Sequence, residues 1–409
     1  MRKLNLPLLL WLVVAACFVG KEIAYILHEG HRPLGHADGM SEDLSRTGAR
    51  NFVKHGFSYS AGLQIWPGFP IETEYESLKE RAIYTHYFPG PDYVLTAVFA
   101  IFGESDESFR WARLIPMFLI LSSLLLLTYA AEKTVFKNWK WGRFWFLLLV
   151  IFVPGLRWWA INLHGHAYSS ACVFVGLSLG MLSTLPDFRQ RSKQLLLLAS
   201  AFAIGVVSNY ALLTGAFIVC ASPIVGQLLC DMRNSKKESF DFKNGLGLSF
   251  TVGLGLVAAW IIHLGQVAVV LGSWADAWHE QMSIASARAM VERSNNPTRL
   301  MLIGRYSDLA SRFFFFKALT MLPLTYYLAW LHRPPRMRLC LASTVAILAC
   351  YAWILLLKNH SIDHPHVNPR VFMLLYVCFA ATLVSLAANH CLSRLAPNTT
   401  SKRVKPRRR

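Results

Sequence analysis

Apolar runs of helical length recur along most of this chain, separated by short polar segments. A helix rising 1.5 Å per residue needs about 20 apolar residues to cross a bilayer core. Ten runs approach that length: 5–27, 111–132, 142–160, 167–185, 194–208, 211–230, 246–271, 312–331, 338–357 and 371–391. The fifth and sixth are short and meet at a tight turn near Asn209. Residues 92–103 are also apolar but too few to span, which predicts a helix lying at or dipping into the interface. The pattern predicts an all-α polytopic membrane protein of about ten spans, a single transmembrane domain over 1–409. Two outer loops, 28–110 and 272–311, are long enough to fold, while 161–166 and 358–370 are short. Within the first loop, Ser41 to Gly56 is polar and helical in spacing, so a helix is expected just outside the membrane.

Composition agrees. The chain is 54% hydrophobic and 16% charged, which excludes a large soluble enzyme. A net charge of +18 would suit nucleic acid, but the cations lie mainly between apolar runs, where membrane topology accounts for them. Nucleic acid is therefore not an expected partner. With the N-terminus in the cytoplasm, the inner segments carry more than half of the 41 Lys and Arg residues. The basic tail 392–409 then also lies inside, near anionic lipid. Residues 1–27 could read as a signal peptide. Lys21 and Glu22 interrupt the run and no small-x-small site closes it, so a retained first helix is expected. All eight cysteines lie in or at the ends of apolar runs without a zinc spacing, and read as buried small residues.

The polar chemistry gathers on one face. Of 14 histidines, 11 fall in outer loops, which marks that face as the working one. Asp38, Glu42 and Asp43 form an acidic cluster around the start of the first-loop helix. One carboxylate there is expected from the helix dipole. Three suit a general base for an acceptor hydroxyl, or a divalent cation, which leaves metal dependence open. Arg46 and Arg50, four apart, share a helix face and could hold phosphate or pair with Glu72, Glu74 or Glu76. His86 and Tyr87 precede a rigid turn, Phe88-Pro89-Gly90-Pro91. His164 and His166, two apart, cannot share one helical face, so substrate contact is expected of them rather than a metal clamp. Trp274 and Trp278 suit an interfacial belt, and Arg293 an anionic group. The last outer loop supplies His364, His366 and Arg370, the arginine placed to reach a phosphate or to snorkel.

The order of these pieces resembles the GT-C superfamily of polyprenyl-phosphate-sugar-dependent glycosyltransferases, in particular protein O-mannosyltransferases and lipid A aminoarabinose transferases. Ser41-Glu42 stands where that family carries an acidic pair, Ala49-Arg50 at its later helix position, and Gly56 closes the helix. Phe88-Pro89-Gly90-Pro91 looks like its Pro-rich turn, Phe102-Gly103 and Arg110 like the end of its second interfacial helix, and Pro369-Arg370 like its late loop. Ser41 departs from the family's first acid, so the base role passes to Glu42, Asp43 or Asp38. The resemblance implies transfer of a hexosyl or pentosyl group, with inversion, from a polyprenyl-phosphate donor to a lipid, glycan or protein acceptor. Arg50, Arg293 and Arg370 would hold the donor phosphate, and His86, Tyr87, His164, His166, His364 and His366 the substrates. It also implies a bacterial inner membrane with the site on the extracytoplasmic face. No cofactor is implied beyond a possible divalent cation.

The competing classes are a lipid or oligosaccharide transporter or flippase, and an O-antigen-ligase-like transferase. A transporter should carry ionisable residues deep in its spans. Here only His263 and Lys317 stand out away from the span ends, which disfavours that class.

Overall fold

The structure is a computed structural model. It describes residues 5–32, 39–65, 83–86, 88–136, 138–151, 153, 156, 160–188, 216–230, 243–290, 298, 300–301, 318–331, 336–356 and 372–395.

The chain is an all-α polytopic membrane protein. Helix α1 (Leu6–Glu29) starts at a proline, whose missing N–H costs nothing in a first turn. Helix α2 (Gly39–His55) lies in the first loop. A single 3₁₀ turn (Phe57–Ser60) and a two-residue antiparallel pairing, β1 (Gln64–Ile65) with β2 (Ile83–Tyr84), follow it. Then come α3 (Gly90–Phe102), α4 (Asp106–Ala112), α5 (Leu114–Thr134), α6 (Lys140–Val150) and α7 (Gly165–Leu182). The remainder is α8 (Ala216–Cys230), α9 (Lys243–Leu271), α10 (Trp274–Met290), α11 (Ala318–Leu331), α12 (Arg336–Leu356) and α13 (Met373–Leu395).

Every apolar run carries a described helix except 194–208, which lies outside the described residues. Among the described residues, five helical stretches are long and apolar enough to cross a membrane: Leu6–Glu29, Asp106–Thr134, Gly165–Leu182, Asn244–Leu271 and Met373–Cys391. The run at 142–160 is corrected: its helix stops at Val150. In the sequence Pro154 follows four residues later, a residue type that disfavours an uninterrupted helix. Val153, Leu156 and Ala160 are buried in the core all the same. Hydropathy registers that burial but not the break.

The centre of the bundle is α7, with 94% of its apolar window buried. It packs on α5 and α8, and α8 packs on α12. The approach of α7 to α8 requires Gly226, because a Cβ there would meet the Leu177 carbonyl oxygen at 2.2 Å. Small residues permit such contact where lipid offers no hydrophobic drive between helices. Outer faces stay apolar and uncovered, as on α9 at Phe250, Leu254, Val257 and Ile261, which suits contact with acyl chains. Helix α3 is short, as expected. Its start is buried against α2, while Ile101 and Phe102 at its end are exposed.

Candidate functional site

Helix α2 ends at Gly56, whose φ of 77° lies in the left-handed region that glycine adopts without strain. It has two faces. Glu42, Ser45, Ala49 and Phe52 are buried, whereas Asp43 and Arg50 are exposed and Arg46 is partly so. Spacings of three, four and seven place each set on its own side of the helix.

On the buried face, Glu42 meets Arg113, at the α4–α5 junction, with both side chains sealed from solvent. The pair is bidentate, Nη1 donating to Oε1 and Nη2 to Oε2, each at 2.9 Å. The other three guanidinium protons go to backbone carbonyls: Nε to Gly30 at 2.9 Å, Nη1 to Ile161 at 2.9 Å and Nη2 to Arg32 at 2.8 Å. All five donors are satisfied. Glu42 Oε1 also accepts the Leu163 N–H at 2.9 Å. One ion pair thus ties together the end of α1, the start of α2, the start of α5 and the 161–163 segment.

One turn further, Ser45 Oγ and His164 Nδ1 are hydrogen bonded at 2.9 Å, both buried. Beside them Gln64 donates to Asp92 Oδ2. Asp92 is fully buried, and its Oδ1 has no hydrogen-bond partner among the described residues. Burial lifts this carboxyl from its ordinary value to about 7, against the opposing pull of Ser45 and Gln64. His164 precedes α7 with an extended backbone (φ −100°, ψ 179°), so it is not bound by the helical period. Its ring lies beside that of His166, centroid to centroid 5.9 Å.

The exposed face carries Asp43, whose carboxyl is raised by partial burial and then by Glu42, with Arg46 opposing. Arg46 pairs with Asp106 at 2.6 Å, and Arg50 with Glu104 at 2.5 Å. The guanidinium groups of Arg46 and Arg113 lie 4.7 and 5.1 Å from the centroid of Phe109. These contacts hold α4 against α2. Ser105 caps α4 reciprocally with Ser108, which sets where that helix begins.

The second half of the first loop is tied to later helices. The Thr85 hydroxyl donates to Glu280 at 3.0 Å, and its carbonyl meets His263 and Gln281, each at 2.8 Å. Gln266 donates to the Tyr93 hydroxyl, which donates on to the Gly62 carbonyl. Burial pushes the Tyr93 phenol up to about 12. His86 is partly buried with its ring beside Tyr84.

Of the residues expected at the site, Glu42, Asp43, Arg50, His164 and His166 cluster around α2 and the start of α7. Asp38, Tyr87, Arg293, His364, His366, Arg370 and Lys317 lie outside the described residues. So do Glu72, Glu74 and Glu76; the acid beside Arg50 is Glu104. Among the described residues no three His, Cys, Asp or Glu side chains converge as a metal site. The sequence reading missed Arg113, Asp92, Ser45 and Gln64. Arg113, the one cation inside the apolar run 111–132, carried a readable signal; Ser45 and Gln64 carried none.

No protein-family model matches the chain, and no curated protein matches it. Among solved structures it is similar to the oligosaccharyltransferase AglB from Archaeoglobus fulgidus, in complex with an inhibitory peptide and a dolichol-phosphate. That likeness has 14% identity and a TM-score of 0.46, over 98% of this chain and 52% of that one. The chain thus spans about half the length of the oligosaccharyltransferase. It is also similar to ArnT from Cupriavidus metallidurans bound to undecaprenyl phosphate, with 12% identity and a TM-score of 0.31, over 94% of this chain and 78% of that one.

Proposed function

We propose that this chain is a membrane glycosyltransferase that moves a sugar from a polyprenyl-phosphate donor to an acceptor hydroxyl at the membrane–water interface, with Asp43 as the base. The observation that carries this reading is the split character of α2. Glu42 is locked inside by Arg113, and its neighbour Asp43 is held at the exposed surface of a helix that lies at the ends of the spans. A base must reach the proton it takes. Both Glu42 oxygens are committed, so Glu42 serves as the residue that fixes the register of α2. Asp38 remains part of the same acidic proposal.

The chemistry balances simply. The acceptor oxygen bonds to the anomeric carbon as the bond from that carbon to the phosphate oxygen breaks. The acceptor proton passes to Asp43, and the lipid phosphate leaves with the bonding electrons. A carboxyl raised by its surroundings is a stronger base once ionised, which suits this role. Negative charge grows on the departing phosphate, and cations there lower the barrier. Arg50, Arg293 and Arg370 are assigned to that task. His164 and His166, both buried beside α2, back the substrate site from within, and His86, Tyr87, His364 and His366 contact sugar or acceptor.

The site faces the extracytoplasmic side of a bacterial inner membrane, with both termini inside. Incubating purified protein with a radiolabelled polyprenyl-phosphate sugar and native membrane extract tests the reading. Label should enter a lipid, glycan or protein fraction with wild type. Incorporation that persists unchanged in both Asp43→Asn and Asp38→Asn removes the base assignment.

A further inference from the structure

At the ends of α1, α5 and α6 away from Arg113 lies a cavity of about 240 Å³, lined by Asn5, Leu8, Glu132, Lys133, Lys140 and Arg143. Arg113 precedes α5 and Lys133 lies near its end. Twenty residues of helix separate them by about 30 Å, the thickness of a bilayer core. The cavity therefore sits at the membrane face opposite α2.

Its charges are arranged, not merely present. Arg143 pairs with the buried Glu132 and lies over two rings, 4.9 Å from the centroid of Trp11 and 5.4 Å from that of Tyr129. Trp11 is itself fixed by a hydrogen bond from its indole N–H to Thr128 Oγ1 at 3.0 Å. Glu132 thereby offsets Arg143. Lys133 lies 3.9 Å from Glu132 and 5.7 Å from the Tyr129 centroid, half out in solvent, and Lys140 is exposed on the first turn of α6. Among the described lining residues, two positive charges are left over at the rim. The cavity is smaller than the roughly 300–1,000 Å³ of sites that enclose a whole drug-sized ligand. It is large enough for a headgroup whose tails lie outside. From its edge, Leu9, Leu12 and Val13 run exposed along α1, an apolar track for an acyl chain. A soluble anion has no use for that track.

We propose that Lys133, Lys140 and Arg143 bind the phosphate headgroup of an anionic membrane phospholipid, with its chains lying along α1. Such a lipid would fasten α1 to the α5–α6 turn on the face remote from the transferase site. This inference does not depend on the proposed catalytic activity.

Native mass spectrometry of the full chain, offered equal amounts of phosphatidylglycerol and phosphatidylcholine, tests it. Wild type should retain phosphatidylglycerol preferentially. Lys133→Gln with Lys140→Gln should reduce that preference by about five-fold for each lysine removed. Lys140→Gln alone, an exposed change that the fold should tolerate, should give the single step. Millimolar inorganic phosphate should compete weakly. Equal retention of the two lipids, or an unaltered preference in the lysine variants, would overturn the proposal. So would inorganic phosphate displacing the lipid completely, since the site would then recognise free phosphate.

Discussion

Arg113 and Glu42, 71 residues apart in sequence, form a bidentate ion pair that water does not reach. A buried pair is not itself a large source of stability, because desolvation offsets the attraction. Its value here is positional: no other described contact joins α1, α2, α5 and the approach to α7 at one point.

Breaking that pair on one side should be costly. Arg113→Met leaves the Glu42 carboxylate buried and three carbonyls without a donor. It should cost about 3–5 kcal/mol and lower the melting temperature sharply. Arg113→Lys should recover little, since an ammonium has three donors where the site uses five. Thermal melts in detergent check this. Because of the backbone carbonyls, the double variant Arg113→Met with Glu42→Leu should remain less stable than wild type.

Asp92 makes a pH prediction. Its folded carboxyl titrates near 7, above the ordinary value of 3.8, because burial disfavours the charged form. Below about pH 4 the carboxyl is neutral whether the chain is folded or not, and no penalty arises. Between pH 4 and 7 the unfolded chain loses the proton first, so folding is progressively disfavoured, and the penalty is complete above 7. Asp92→Asn keeps a group that Gln64 can bond and removes the charge. Its melting-temperature gain over wild type should be larger at about pH 8 than at about pH 5. An equal gain at both would mean that Asp92 is ionised in the fold.

The Arg50–Glu104 pair separates structure from binding. Both side chains are substantially exposed, so Glu104→Gln should change stability by less than about 1 kcal/mol. If Arg50 serves the donor phosphate, freeing it from Glu104 should strengthen donor binding and lower KM with kcat little changed. Arg50→Gln should do the reverse. KM unmoved in both variants would leave Arg50 only its contact with Glu104, ahead of α4.

The spans were legible because crossing a membrane demands long apolar runs, and little else produces them. Helix α2 was legible from its polar, helix-spaced register and its closing Gly56. Contacts between distant segments were not. That Arg113 rather than Arg110 reaches Glu42 depends on how α4 meets α5, and Arg110 instead bonds Glu107 within its own helix. Asp92 reads in sequence as a turn acid; only the packing of α2 on α3 buries it. The rings of His164 and His166 meet because α7 starts between them, one residue beyond what periodicity resolves.

The central claim is that the exposed acid of α2 performs the chemistry and the buried one holds it in place. Rates of sugar transfer from a radiolabelled polyprenyl-phosphate donor, measured for Asp43→Asn alongside donor binding and thermal melts, test it most directly. Asp43→Asn should bind donor and melt like wild type while losing transfer by at least about 100-fold, the scale of a missing general base. Transfer at the wild-type rate in Asp43→Asn, with that protein folded and donor bound, would contradict it.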